Sequence, residues 1–287
     1  MRTTGSYCVH QTILIMEPAL QRRVQRYGWD KASQCYEIFW QKQLQPAQDK
    51  LLQMAQLQPG EIIIDIACGT GLVSFAAAEK VGTNGLVLAT DISDKMVEKS
   101  IATAKERNLT NMKFQRMDAE NLDTADAMYD SALCALGLMY LPDPLKGLKE
   151  MYRVLKPGGR AVAAVWGQRD RCGWAEIFEI VDRRVSSDVC PMFFALGNSN
   201  MLRLNFAAAG FTDITSERVS TILLYTSGEE ACGAAFAGGP VALPYFKFSE
   251  NVKREVHAEY LESIKPFQRE HGYAIPGEFV VAIGYKK

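Results

Sequence analysis

The stretch "IIIDIACGTGLVSF", residues 62 to 75, constrains the fold more than any other in the chain. An apolar run that ends in an acid, Asp65, meets a turn of small residues, Ala67 to Gly71, and then a helical pattern. Glycines at 69 and 71 let the backbone take angles and close approaches that a side chain forbids. A buried strand, a glycine turn and a helix in that order open a βαβ unit. The ligand of such a unit sits at the carboxyl end of the strand, beside the free N–H groups of the helix.

The alternation continues down the chain. "GLVLATDIS" reads as a second strand, "SDKMVEKSIATAKERN" as a helix with Ser93 as its N-cap, and "MKFQRMDA" and "YDSALCALGL" as further strands. "PLKGLKEMYRVLK" reads as a helix ended by Pro157-Gly158-Gly159, and "RAVAAVWG" as a fifth strand. This repetition predicts an α/β fold with a parallel sheet covered by helices on both faces. After Gly167 the rhythm breaks into helical insertions near 168–200 and 228–275. Between them lie a helix stopped by Gly210 and the strand "TDITSERVSTILLYT", and "GEFVVAIGYKK" closes the chain as an apolar strand. Residues 1–48 set Tyr27, Trp29, Tyr36, Phe39 and Trp40 among long polar helix formers, and are expected to be a helical lid segment on a domain of residues 49–287.

A length of 287 residues suits one elaborated α/β domain. The 32 basic and 33 acidic residues nearly cancel and form no basic block, which argues against nucleic acid as a partner. The cysteines Cys8, Cys35, Cys68, Cys134, Cys172, Cys190 and Cys232 are scattered without Cys-x-x-Cys spacing, as expected of reduced thiols in a cytoplasmic protein with no metal site. "VHQTILIMEPAL" is too short for a secretory core, and no run approaches the ~20 apolar residues that span a bilayer. A soluble protein with no membrane partner is expected. His10, His257 and His271 lie outside the motifs, so the sequence identifies no catalytic base.

Asp91 ends the second strand 20 residues after Gly71, the separation at which a carboxylate meets a ribose diol. Dinucleotides and S-adenosylmethionine then compete. The dinucleotide pattern Gly-x-Gly-x-x-Gly, counted from Gly69, finds Ser74 at its third glycine, and Asp65 stands just upstream of the turn. A carboxylate there repels a pyrophosphate and attracts the cationic end of S-adenosylmethionine.

At this point the chain resembles the class I S-adenosylmethionine-dependent methyltransferases, in particular their ubiquinone/menaquinone-biosynthesis-like branch. The resemblance covers residues 58 to 167 and rests on "IDIACGTG", "LATDIS", "RMDAENL" and "DSALCALGLMYLPDP" leading to "RVLKPGGRAVAAVWG", in that order. It implies a seven-stranded, mostly parallel Rossmann-like sheet, with an antiparallel strand 7 beside strand 5. It also implies that Asp65 and the turn Ala67, Cys68, Gly69 and Gly71 hold the methionine portion, and that Asp91 takes the ribose hydroxyls. Ile92 would cover an adenine face, Asp118 and the Ala119 N–H would contact the adenine edge, and Cys134 to Leu136 would line the sulfonium.

Each of these residues has a plainer use. Asp91 also suits a helix cap, Asp118 a solvated helix start, and Cys68 and Cys134 are tolerated small residues with no partner for nucleophilic chemistry. Tyr27, Trp29, Tyr140 and Trp166 are candidates for the wall of an acceptor site, which the aromatic insertions predict to be apolar and sized for a small molecule. The expected function is in-line methyl transfer to such a molecule. The alternatives are a non-catalytic S-adenosylmethionine-binding protein, an RNA methyltransferase and a dinucleotide oxidoreductase.

Overall fold

Three consecutive isoleucines begin β1 (Ile62–Ile66), and Ile63, Ile64 and Ile66 are all buried. Unbroken apolar strands of this kind belong to the middle of a parallel sheet covered on both faces. The computed structural model describes residues 17–185 and 192–287. Cys8, His10 and Cys190 lie outside the described residues. β2 (Leu86–Asp91), β3 (Met112–Arg116), β4 (Tyr129–Ala135) and β5 (Leu155–Trp166) join β1 in parallel. β6 (Thr212–Tyr225) and β7 (Tyr273–Tyr285) complete a seven-stranded sheet of order β3-β2-β1-β4-β5-β7-β6, with β7 antiparallel to both neighbours. The expected strand beside strand 5 is therefore present.

The chain leaves β1 toward β2 and β3, then returns to the other side of β1 for β4. The loops after β1 and β4 diverge at that reversal and leave a crevice at the carboxyl ends of the strands. Helices α1 (Pro18–Ala32) and α2 (Tyr36–Ala55) precede the sheet, and α3 (Leu72–Val81), α4 (Asp94–Glu106) and α5 (Pro144–Val154) make crossovers. α6 (Ile177–Asp182), α7 (Met201–Ala208), α8 (Gly228–Cys232), α9 (Ala242–Tyr245) and α10 (Glu250–Ile264) follow. The Ser93 hydroxyl accepts the Met96 N–H at 3.1 Å, and this cap starts α4 directly after β2.

Two expectations need correction. The division at residue 48 falls inside α2, which runs unbroken to Ala55 and buries Leu44, Ala47, Leu51 and Ala55 on the side facing β5 and β7. Its apolar residues recur at helical spacing, so α2 covers the sheet and α1 alone lies outside it. Pro157-Gly158-Gly159 does not end a helix: α5 stops at Val154 and the chain turns straight into β5. There Gly158 takes a φ of +80° and donates its N–H to the Lys286 carbonyl, while Lys286 N–H returns to the Gly159 carbonyl. The segment is a bend stitched to the far end of β7.

The cysteines Cys35, Cys68, Cys134, Cys172 and Cys232 are free thiols. Among the described residues, no helix is long and apolar enough to cross a membrane, and no cluster of His, Cys, Asp and Glu is arranged to hold a metal ion.

Candidate functional site

The turn after β1 brings an unsatisfied acid to the crevice. Asp65 is almost fully buried; the Ser74 hydroxyl donates to its Oδ2 at 2.5 Å, and its Oδ1 has no partner among the described residues. Burial pushes this carboxyl up to about 7, against the opposing pull of the Ser74 hydrogen bond. With Ala67, Cys68, Gly69 and the Tyr36 ring it lines a small recess. A buried carboxylate oxygen without a donor is costly, and a ligand cation relieves that cost. Ser74, the residue that breaks the dinucleotide pattern, thus has a positive use in holding Asp65.

The two glycines of the turn are there for different reasons. Gly69 has a φ of +57°, and a Cβ on it would meet only the Tyr36 ring, at 3.8 Å, so its open side faces the recess and the crevice. Gly71 has a φ of +95°, and a Cβ there would come 2.5 Å from Ser100 Oγ and 2.6 Å from the Phe75 ring. Packing between α3 and α4 requires Gly71. It does not line the crevice.

Asp91 ties this turn to the next. Its Oδ2 accepts the Gly69 N–H at 2.8 Å and its Oδ1 the Ser93 N–H at 2.9 Å; burial nonetheless pushes the carboxyl up to about 6. Asp91→Ala is expected to weaken binding of S-adenosylhomocysteine by about 1–3 kcal/mol, since it loosens the turn as well as removing an acceptor. Calorimetric titration of the folded variant checks this, and unchanged affinity would remove Asp91 from the site. Farther along, the Arg22 guanidinium bridges Asp118 (3.1 Å) and the buried Glu120 (2.7 Å). The plainer view of Asp118 as a helix start is not what occurs, since residues 118–121 form a tight bridged turn.

A cleft of about 960 Å³, counted to its open mouth, joins Gly69, Asp91, Asp118 and Arg22. Ala67, Gly69, Asp91, Ile92, Asp118, Ala119 and Leu136 line it at the strand ends. Its other wall is aromatic. Trp29, Tyr140 and Trp166 lie in it, joined by Tyr36 and Trp40, which the sequence marked only as aromatics of the lid segment, and by Trp174 and Phe193. Trp40 and Trp174 approach Trp166 edge-on at 6.0 and 4.8 Å between ring centres, and Trp29 meets Tyr140 at 5.1 Å.

Besides Asp65 and Gly71, three expected residues stand outside the cleft. Tyr27 is 47% exposed with the Arg26 guanidinium over its ring, because two residues along a helix turn a side chain to the far face from Trp29. Cys134 is wholly buried under the cleft floor; its neighbour Ala135 faces the cleft, as strand alternation requires. Cys68 lines only the recess beside Asp65, and burial raises its thiol well above the ordinary range, so it stays protonated.

The fold and this site define the class, and comparison with known proteins places the chain within it. A family model described as a methyltransferase domain matches residues 57–175. The chain is 31% identical to a demethylmenaquinone methyltransferase of Staphylococcus epidermidis, over 57% of this chain and 73% of that one. It is 34% identical to the Geobacillus enzyme of the same name, over 49% of this chain and 60% of that one. The match therefore spans about three-fifths of the latter's length. The chain belongs to the class I S-adenosylmethionine-dependent methyltransferase family. The fold is also that of phosphoethanolamine N-methyltransferase 2 of Haemonchus contortus, solved with S-adenosyl-L-methionine. That likeness has a TM-score of 0.59 at 16% identity, over 90% of this chain and 57% of that one.

Proposed function

We propose that this protein transfers a methyl group from S-adenosylmethionine to a small, planar, largely apolar acceptor. The observation that carries the proposal is the continuity of the cleft, which runs from Gly69 and Asp91 to a wall of tryptophans. The donor half fits the proposed ligand: Asp65 offers an unpartnered oxygen for an ammonium group, and Gly69 leaves its Cβ space open. Asp91, with two backbone N–H groups already fixing its orientation, is placed to take ribose hydroxyls. Ile92, Asp118 and Ala119 form the adenine end, and Ala135 to Gly137 lie between the two halves. When bound, S-adenosylmethionine supplies a methyl group activated by its sulfonium charge.

The residues of the chain then align and dehydrate. Trp40, Trp166, Trp174 and Phe193 suit a flat ring, and holding it in line accounts for several kcal/mol of a methyl-transfer barrier. The relatives named for demethylmenaquinone favour a quinone-derived ring. Among the described residues, the titratable side chains lining the cleft are Arg22, Tyr36, Asp91, Asp118 and Tyr140. Burial raises the Tyr36 phenol above its ordinary range, so it remains a donor, not a base. An acceptor that brings its own electron-rich atom, as a phenolate, enolate or thiolate does, needs no further base. Titration with S-adenosylhomocysteine and with NADH, followed by transfer of labelled methyl to a panel of hydroquinones, tests the proposal. Binding of NADH alone would overturn it.

The raised carboxyls make donor binding pH-dependent. In the free protein Asp65 and Asp91 hold protons up to about 7 and about 6, whereas the unfolded chain releases them near 3.8. At these two groups the folded state therefore binds more protons across that window, and the stability they contribute falls as pH rises from about 4 to about 7. A donor ammonium against Asp65 reverses the preference by favouring the ionised form. The expected result is a larger rise in melting temperature with S-adenosylhomocysteine at pH 8 than at pH 5.5. Asp65→Asn should flatten the difference, and a pH-independent rise in the unaltered protein would remove Asp65 from the ammonium site.

A further inference from the structure

Two carboxylates, one in each hollow, fix where the middle of a bound donor lies. Asp65 stands in the small recess and Asp91 in the cleft, and Tyr36, Ala67, Gly69 and Ala135 line both, so these residues ring the passage between the two. In S-adenosylmethionine the sulfonium joins the methionine chain to the ribose. With the ammonium at Asp65 and the ribose hydroxyls at Asp91, the sulfonium falls in that passage. Ala67, Gly69 and Ala135 carry nothing beyond a Cβ, so among the residues common to recess and cleft Tyr36 alone brings a side chain that can meet a charge.

The ring is held where this requires it. Tyr36 opens α2, Trp29 meets it edge-on at 5.8 Å with the planes 88° apart, and its Cε1 lies 3.8 Å from where a Gly69 Cβ would stand. Burial, and next the negative charge of Asp91, push its phenol up, so the group is a neutral aromatic ring. A cation within about 6 Å of the centre of such a ring is attracted to its negative face, most strongly where the pair is desolvated.

We propose that Tyr36 is the residue that touches the sulfonium of the donor, its ring favouring charged S-adenosylmethionine over the neutral thioether S-adenosylhomocysteine. This rests on the donor reading given above, with Asp65 at the ammonium and Asp91 at the ribose. The two carboxylates attract a positive sulfur from either side, whereas the ring acts in contact. Methyl transfer removes the charge from the sulfur and with it the attraction of the ring. Tyr36 therefore couples completion of the transfer to release of the product.

The test measures the dissociation constants of S-adenosylmethionine and S-adenosylhomocysteine on the whole protein by calorimetry, with no acceptor present. The unaltered protein is expected to favour the charged ligand by about tenfold. Tyr36→Leu, which removes the ring, should cut that ratio by about fivefold or more, and Tyr36→Phe, which keeps the ring, by less than about twofold. A role in packing alone weakens both ligands together and leaves the ratio in place. A second measurement needs no variant: with an isotopically labelled donor methyl, its protons should show a nuclear Overhauser contact to the assigned Tyr36 ring protons. That contact decides the matter if Tyr36→Leu does not fold. A ratio unmoved by Tyr36→Leu, a cut just as deep in Tyr36→Phe, or a methyl group without the Overhauser contact overturns the proposal and leaves the donor site standing. Failure of both ligands to bind the unaltered protein overturns the donor reading and the proposal with it.

Discussion

Gly69→Val is expected to abolish binding of S-adenosylhomocysteine in a protein that still folds. At a φ of +57° an L-residue in the left-handed region costs about 1–2 kcal/mol, and a β-branched one more. Strain alone does not account for the full loss. A Cβ at this position rests at ordinary contact distance from the Tyr36 ring, and the γ-carbons of valine must extend beyond it, beside the recess that Gly69 lines with Tyr36 and Asp65. The Gly69 N–H that holds Asp91 also shifts if the backbone relaxes. A loss exceeding 100-fold, about 3 kcal/mol, is expected by calorimetry. Gly69→Ala, which adds the Cβ without the branches, should lose about tenfold or less. Gly71→Ala should behave differently: its Cβ collides with Ser100 and Phe75, so the damage falls on folding. A Gly69→Val protein that binds normally would show that the turn is architecture only.

That contrast shows how far the sequence could be read. The glycine turn, its acids and the strand order belong to local pattern, because each strand is a short apolar run and each turn has its own chemistry; Ser93 is even found as the cap it was expected to be. Which glycine is open to the cleft and which is packed shut is decided in part by α4, a separate element, through Ser100. The aromatic wall was less legible for the same reason. Trp40 lies on α2, Trp166 ends β5, and Trp174 and Phe193 lie in the insertion after it, so only tertiary packing brings them together. Trp29 and Tyr27 were indistinguishable as aromatics in one segment until the helical phase of α1 separated them. Helical spacing could have identified one of the missed residues: Trp40, Leu44, Ala47 and Leu51 repeat at three and four residues, the mark of a buried face.

Shortening the chain past α1 should harm turnover far more than folding, because α1 is attached to the donor site by its polar residues. Arg22 reaches Asp118 and Glu120, and Arg26 pairs with Asp94. Asp30 Oδ1 accepts the Ser93 hydroxyl at 2.6 Å and the Lys95 N–H at 3.1 Å, at the start of α4 where the helix dipole favours a negative charge. Trp29 closes over Tyr36 and Tyr140 at 5.8 and 5.1 Å. Partly exposed ion pairs of this kind contribute about 0–1 kcal/mol each, enough to hold a lid and too little to lock it. α2 is different, since its buried face belongs to the core. Amide exchange in residues 18–32 should therefore be fast in the free protein and slow on adding S-adenosylhomocysteine, while Leu44 to Ala55 stay protected in both. Removing residues 1–33 should lower methyl transfer at least 100-fold, because water reaches the cleft and Trp29 is lost, with a melting temperature only a few degrees lower. Added salt should speed exchange in α1 selectively by screening its pairs. If exchange there ignores both ligand and salt and the shortened protein turns over normally, α1 is a packing appendage and the cleft works open.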